Sequence, residues 1–227
     1  MKTVFTGDCA GRIERMSPEK MHDMKPLFVD LERTLVATDT RWESVLIFLR
    51  NNPLRIIRLL QWALKGKKYF KEQVARRVSL NVALLPYRSE VVEFIEKEHS
   101  SGRTVVLATA SHRLVAEKIA EHLGVFSDIL VTDPNGNLSG ENKLRAIEAY
   151  TQGNSFDYLG SAMVDLPVWQ VAAQAICAGS SKKNQKRVEN LANGRFIKSG
   201  ENHYFLFTLL KAMRVHQWSK NLLLFIP

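Results

Sequence analysis

Short apolar runs alternate with longer amphipathic stretches from Pro26 onward, and this alternation predicts the elements of the fold. Five runs suit buried strands: 26–31, 103–111, 126–132, 156–161 and 173–180. Helical spacing with polar caps or terminal glycines predicts helices over 90–102, 111–124, 141–153, 165–174 and 181–194. Apolar strands separated by helices indicate a doubly wound parallel sheet, covered on both faces, in an α/β fold.

One interval breaks this alternation. Residues 41–88 lack a strand pattern and contain three helical stretches, punctuated by Pro53 and Gly66. The interval predicts an all-helical cap inserted between the first and second strands. An insert at this point lies above the carboxyl ends of the strands, where open α/β sheets bind ligands. We therefore expect the cap to act as a lid.

Length and composition limit the number of domains and the compartment. A chain of 227 residues with 45% hydrophobic residues can bury one sizeable core and a small second lobe. Its two cysteines, Cys9 and Cys177, have no metal-ligand spacing around them. Residues 1–24 form a polar N-terminal tail without a signal-peptide apolar run. These features predict a reduced, cytoplasmic setting.

Positive charge is concentrated in two segments. The net charge is +9, and residues 50–88 hold ten Lys or Arg against one Glu, while residues 180–227 hold nine against two acids. Such segments suit a phosphorylated substrate or acidic lipid headgroups, or they are solvated helix faces. Nucleic acid is not favoured, because exposed aromatics are not interleaved with the charges. Trp42, Trp62 and Trp169 are instead predicted to be packing residues.

Polar side chains follow several predicted strands. Asp30 and Glu32 come after the first strand, Thr109 ends the second, Lys143 opens a helix, and Asp165 lies beyond the run 156–161. These groups converge on one crevice in a doubly wound sheet. They suit phosphoryl transfer: Asp30 as nucleophile, Thr109 and Lys143 on the phosphoryl oxygens, and Asp165 on Mg²⁺.

The same residues carry a family resemblance. DLERT at residues 30–34 resembles the DxDGT motif of haloacid dehalogenase-like hydrolases, and Thr109 and Lys143 fall on the second and third motifs. The stretch 160–165, ending in Asp165, is similar to the fourth, GDxxxD. The resemblance covers about residues 24–200. It implies a Rossmann-like core and a Mg²⁺-dependent phosphatase.

By the same resemblance, Glu32 is the general acid and base. Mg²⁺ is bound by Asp30, by the Glu32 backbone carbonyl and by Asp165.

Three positions depart from the motifs. Glu32 replaces a shorter Asp, Arg33 replaces Gly and suggests an altered turn, and Ser161 replaces a metal-facing carboxylate. A displacement of about 1 Å in a catalytic group can cost on the order of a hundredfold in rate. The chain is therefore predicted to be an impaired phosphatase, with an inactive phosphate- or membrane-binding accessory domain and a dehalogenase-like enzyme as alternatives.

The C-terminal segment, residues 203–227, changes character. Basic residues with Trp218 stand beside apolar sequence, as at a membrane interface, although a helix packed on the core remains an alternative. Residues 209–227 resemble the start of UbiA-family polyprenyl transferases, some of which carry a haloacid dehalogenase-like domain in front. This implies a membrane-proximal location at the inner face of the membrane. It also implies a phosphorylated small molecule or a polyprenyl-linked sugar phosphate as partner.

Overall fold

The centre of the fold is a parallel sheet. The computed structural model describes residues 25–50, 53–78, 80–131, 138–179, 182–191 and 193–197. Its strands are β1 (Leu27–Val29), β2 (Val105–Thr109), β3 (Asp128–Val131), β4 (Asp157–Gly160), β5 (Gln174–Ala178) and β6 (Gly194–Ile197). Their order is β3-β2-β1-β4-β5-β6, and all neighbouring pairs are parallel. The predicted doubly wound α/β sheet is confirmed.

Helices follow the strands as the sequence predicts. The α-helices of the described residues are α1 (Thr40–Arg50), α2 (Ile56–Leu64), α3 (Lys67–Arg77), α4 (Ser89–Ser100), α5 (Arg113–Leu123), α6 (Glu141–Thr151), α7 (Leu166–Val171) and α8 (Lys182–Glu189). Short 3₁₀ turns lie at Pro53–Arg55, Val82–Leu84 and Met163–Asp165. None of the helices in this part of the chain is long and apolar enough to cross a bilayer.

Successive strand residues point to opposite faces of the sheet, and each face has its own core. Leu27 and Val29 of β1 belong to one buried cluster, which α4 and α5 cover. Phe28, between them, belongs to a second cluster, which α6, α7 and α8 cover. The uninterrupted apolar runs of the sequence thus correspond to strands that are buried on both faces.

The helical cap has a small core of its own. Side chains of α1, α2 and α3, among them Phe48, Trp62 and Val74, form a third buried cluster. Leu80 and Leu85, which follow α3, pack instead in the core beneath α4 and α5. The interval 41–88 is therefore divided between the cap core and the main core.

Some details of the predicted elements are wrong. The helix predicted to end at Gly194 stops at Glu189, and Gly194 begins β6, an edge strand that lacks an apolar run. A Cβ on Gly194 would lie 1.8 Å from the Val188 carbonyl oxygen, so this close approach requires glycine. Trp42, predicted to pack, is 63% exposed.

A further correction concerns the last cap helix. The third helical stretch predicted within residues 41–88, which begins after Gly66, ends at Arg77, and Val78 is extended. The N-terminal tail (1–24) and the C-terminal segment (203–227) lie outside the described residues.

Candidate active site

The strand order changes direction between β1 and β4, and the candidate site is built at this switch point. Asp30 directly follows β1, Thr109 is the last residue of β2, and Asp165 ends the 3₁₀ turn after β4. Lys143 lies in the first turn of α6. All four residues are buried, and none is more than 6% exposed. The structure thus brings together the residues that the sequence places at separate strand ends.

A chain of polar contacts links these residues. Lys143 Nζ lies 2.7 Å from Asp30 Oδ1 and donates to the Tyr158 hydroxyl at 2.8 Å. The Tyr158 hydroxyl donates in turn to Asp165 Oδ1 at 2.8 Å. Sequence reasoning missed Tyr158. Its position in an apolar strand indicates that the side chain is buried, but not which groups its hydroxyl contacts. Lys143 is therefore held between the two carboxylates, with Tyr158 bridging.

Burial dominates the electrostatics of this cluster. The pKa of Asp30 is raised to about 7, chiefly by desolvation; the Lys143 ammonium opposes this shift, and the Asp165 and Glu32 carboxylates contribute to it. Burial alone would lower the pKa of Lys143, but Asp30 and Asp165 outweigh burial and raise it. Burial and the Asp165 carboxylate raise the pKa of Tyr158 well above its ordinary value. Near neutral pH, Asp30 titrates while Lys143 stays charged and Tyr158 stays protonated.

Asp165 organises the loop after β4. Its Oδ2 accepts hydrogen bonds from the backbone N–H groups of Ser161 and Ala162, at 3.2 and 3.0 Å. A Cβ on Gly160 would lie 2.7 Å from this oxygen and 2.7 Å from the Tyr158 ring. Glycine is thus needed for this close packing. Both Asp165 oxygens accept bonds within the protein, and its role as a metal ligand stays a prediction.

The Glu32 carboxylate is bound by three hydroxyl groups. Thr109 donates to Glu32 Oε2 at 2.9 Å, and Thr40 donates to Oε1 at 3.2 Å. Ser111 also donates to Oε1. Sequence reasoning missed Thr40 and Ser111, although Ser111 ends the predicted strand 103–111 as a small polar residue. The Thr109 hydroxyl, which was predicted to hold a phosphoryl oxygen, thus donates its hydrogen bond to Glu32.

The turn at Arg33 keeps the conformation that glycine favours. Arg33 has a φ of 61°, in the left-handed region. For a residue with a Cβ this conformation costs about 1–2 kcal/mol. Arg88 Nε donates to the Arg33 carbonyl at 3.2 Å and helps to hold the turn. The replacement of Gly therefore places strain at Arg33.

Three oxygen atoms that suit Mg²⁺ surround the Thr34 hydroxyl. Thr34 Oγ1 lies 3.2 Å from Asp30 Oδ2, 3.4 Å from the Glu32 carbonyl and 3.0 Å from Ser161 Oγ. Oxygen ligands of these kinds fit a hard divalent cation. Asp30 is the charged ligand among them, so the set fits Mg²⁺ in kind but with little charge.

The described residues contain no group of three or more His, Cys, Asp or Glu side chains placed to hold a metal ion.

The cap closes over the approach to the site. Lys71 of α3 donates to the Ala110 carbonyl, just after β2, at 2.9 Å. Between the cap and the core, a cavity of about 20 Å³ is lined in part by Thr40, Phe70 and Ser111. This volume holds about one water molecule. We therefore expect a ligand to pass this loop only when the cap moves away from it.

Comparison with known proteins identifies the family. The model of the haloacid dehalogenase-like hydrolase family matches residues 27–168, more than half of the chain. The match includes the four strand-end residues described above. The chain belongs to the haloacid dehalogenase-like hydrolase family.

This hydrolase also has a similar curated relative. The uncharacterized protein y4nM of Sinorhizobium fredii (strain NBRC 101917 / NGR234) is 31% identical over 203 residues, which are 89% of this chain. The match covers 39% of that relative. The hydrolase chain thus spans well under half the length of the curated relative it matches.

Solved structures share the fold of this hydrolase. A protein of unknown function from Bordetella pertussis Tohama I has a TM-score of 0.59 at 15% identity, covering 77% of this chain and 98% of its own. A probable phosphoserine phosphatase from Vibrio cholerae has a TM-score of 0.52 at 15% identity, covering 86% and 67%. A phosphoserine phosphohydrolase-like protein from Francisella tularensis subsp. tularensis SCHU S4 has a TM-score of 0.51 at 13% identity, covering 82% and 100%. At these identities the similarity shows the fold alone.

Proposed function

We propose that this chain hydrolyses a phosphate ester, with Asp30 as the nucleophile. The observation that carries the proposal is the buried contact of 2.7 Å between Asp30 Oδ1 and Lys143 Nζ at the switch point of the sheet. An oriented carboxylate beside a fixed ammonium suits attack on phosphorus, because the ammonium offsets charge on the phosphoryl oxygens. The hydrolase family, and the fold shared with a probable phosphoserine phosphatase, support this reaction class.

The proposed reaction has two steps. First, an Asp30 oxygen bonds to phosphorus while the ester P–O bond breaks, and the departing alkoxide takes a proton from the acid form of Glu32. Water then attacks the phosphorus of the aspartyl phosphate and gives a proton to Glu32. The bond from phosphorus to Asp30 breaks, which releases phosphate and regenerates the carboxylate.

Mg²⁺ has a defined place in this proposal. Asp30 Oδ2, the Glu32 carbonyl and Asp165 would hold it, as the family resemblance implies, together with the Ser161 hydroxyl. When bound, it supplies positive charge that offsets the charge of the phosphoryl group.

The position of Glu32 predicts slow turnover. A phosphoryl group and the Glu32 carboxylate compete for the Thr109 hydroxyl, which donates to Glu32 at 2.9 Å. Glu32 must therefore rotate away from Thr109 before a substrate phosphate can bind there. This rearrangement should slow turnover further. Ser161 already slows it, because a serine hydroxyl adds no negative charge to the metal ligands.

The same hydrogen bonds favour a second candidate function. A carboxylate that fills the phosphate-holding hydroxyls gives a stable closed site without turnover. In that case the chain is a catalytically inactive accessory domain, which binds a phosphorylated ligand or an acidic membrane.

We also propose that this domain is associated with a UbiA-type polyprenyl transferase. Residues 209–227 resemble the start of that family, and the relative y4nM extends well beyond the part that this chain matches. On this proposal the substrate is a polyprenyl-linked sugar phosphate or a phosphorylated small molecule, at the inner face of the membrane.

The test is Mg²⁺-dependent phosphate release from an aryl phosphate. Wild type is compared with Asp30→Asn and with the double variant Glu32→Asp/Ser161→Asp. We expect slow release by wild type, none by Asp30→Asn, and faster release by the double variant. Undiminished release by Asp30→Asn would exclude Asp30 as nucleophile. If neither wild type nor the double variant releases phosphate, from the aryl phosphate or from a polyprenyl-linked phosphate, the accessory function is favoured.

A further inference from the structure

Cap helix α2 leaves most of its apolar surface uncovered. Seven of its nine residues are apolar, yet its buried residues are Leu59 and Trp62. The exposed fractions of four others are 50%, 56%, 61% and 88%, for Ile56, Ile57, Leu60 and Leu64 respectively. We call these four side chains the α2 apolar face. Soluble domains rarely expose contiguous aliphatic side chains of this kind unless the patch contacts a partner.

The four side chains lie on one side of the helix. With about 100° of rotation per residue, they span an arc of about 100°. Leu59 and Trp62 lie outside this arc, on the side of the helix that packs in the cap core with Phe48 and Val74. The α2 apolar face is therefore a continuous strip that the cap core does not use.

The stretch of chain that contains this strip is basic. Residues 54–68 contain five Lys or Arg and no Asp or Glu. Arg55 and Arg58 line an open cleft of about 480 Å³ together with Leu54, Ile57 and Gln61. Lys65, the residue after α2, lies over the Tyr69 ring at 5.1 Å from its centre. Positive groups thus stand at both ends of the apolar strip.

We propose that the α2 apolar face docks on a bilayer surface that contains anionic lipid. An aliphatic strip enters the boundary between headgroups and acyl chains, and long basic side chains beside it remain with the lipid phosphates. Arg58 and Lys65 are exposed and carry the charge for this role. Arg55 instead lies over the Phe48 ring and donates to the Phe48 carbonyl. The docking does not depend on turnover at Asp30.

Charge complementarity favours the bilayer over two other occupants. A second copy would bring the same strip, with eight Lys or Arg against one Glu over residues 53–78, against itself. The C-terminal segment, residues 203–227, carries three Lys or Arg and no acid. Both occupants would place positive charge against positive charge. On an anionic leaflet, by contrast, each cation near the surface strengthens binding by about 1 kcal/mol, or about fivefold.

The test is flotation of the full 227-residue chain with vesicles. Phosphatidylcholine vesicles with and without phosphatidylglycerol are compared. The variant Leu60→Gln/Leu64→Gln removes two aliphatic side chains of the strip. Its matched control, Leu84→Gln/Leu114→Gln, changes two exposed leucines elsewhere, which are 80% and 44% exposed.

A second pair of variants tests the charges. Arg58→Gln/Lys65→Gln removes two cations beside the strip, and Arg113→Gln/Lys118→Gln removes two exposed cations of α5. We expect wild type to float with the anionic vesicles. The apolar double variant should lose at least about tenfold in partitioning, and the charge variant about the same, while both controls bind like wild type.

Three results would overturn the proposal. The first is that wild type fails to float with anionic vesicles. The second is that the α2 variants float as well as their controls, which would mean that another segment makes the contact. The third is that wild type sediments as a dimer and does not bind vesicles, and that of the variants only Leu60→Gln/Leu64→Gln abolishes the dimer. The single variant Leu64→Gln, at a side chain 88% exposed, repeats the test if the double variant melts early.

Discussion

The Asp30 carboxyl should titrate near neutral pH. Burial raises its pKa to about 7 from the ordinary 3.8, although Lys143 lies beside it. About one tenth of Asp30 is then ionised at pH 6 and about nine tenths at pH 8. Carbon-13 NMR of protein labelled at the aspartate carboxyls measures this directly, with Asp30→Asn to assign the signal. The measurement does not require turnover.

The same shift makes a prediction for stability. Between pH 4 and pH 7 the folded protein holds a proton on Asp30 that the unfolded chain has released, so this group's contribution to stability falls as pH rises. Each pH unit in this window costs about 1.4 kcal/mol. Between pH 5 and pH 7, wild type should therefore lose roughly 2–3 kcal/mol of unfolding free energy relative to Asp30→Asn.

Removal of the Lys143 ammonium provides the control. Lys143 lowers the pKa of Asp30, so Lys143→Met should move the titration above pH 7. Urea unfolding at each pH gives the stability comparison. An Asp30 signal that titrates near pH 4, or a stability difference from Asp30→Asn that is flat between pH 5 and 7, would refute the reasoning.

Three further predictions concern the turns and the blocked hydroxyl. Arg33→Gly relieves a left-handed φ of 61° and should raise the unfolding free energy by about 0.5–1 kcal/mol after the flexibility of glycine is subtracted. Gln152→Gly, at a φ of 52° far from the site, should gain a similar amount; a loss in both variants would contradict the assignment of strain. Gly160→Ala brings a Cβ to 2.7 Å from Asp165 Oδ2 and should cost about 1–3 kcal/mol in thermal or urea unfolding; an unchanged melting temperature would show that the loop adapts. Glu32→Asp shortens the side chain that occupies the hydroxyl at the end of β2, and calorimetry should show phosphate binding on the order of tenfold tighter. Equal affinity of the two proteins would mean that Glu32 does not compete with phosphate.

The fold was predictable where burial determines the sequence pattern. Strands buried on both faces, such as the one around Leu27 and Val29, read as apolar runs, and these runs identify the parallel sheet. Strand β6 was missed because an edge strand is partly exposed and lacks this pattern. Trp42 was misplaced because helical spacing shows which side chains share a face but not what covers it.

The candidate site was predictable as a set of positions but not as a set of contacts. Strand ends of a parallel sheet meet at one edge, so Asp30, Thr109 and Asp165 could be placed together from the sequence. The bond from Thr109 to Glu32 depends on the rotamer of one long side chain and on where the cap begins. The hydrogen bonds through Tyr158 depend on where the end of a long side chain lies relative to Lys143 and Asp165. Periodicity carries no information on either.

The most direct test of the account is mass spectrometry of protein that has been mixed with Mg²⁺ and a phosphorylated substrate and then quenched in acid. The variant Glu32→Asp/Ser161→Asp is used beside wild type so that the covalent step is fast enough to observe. The account predicts one phosphoryl group on the peptide that contains Asp30, and none in Asp30→Asn. Phosphate release with no phosphoryl group on Asp30, or with the group on another residue, would contradict it.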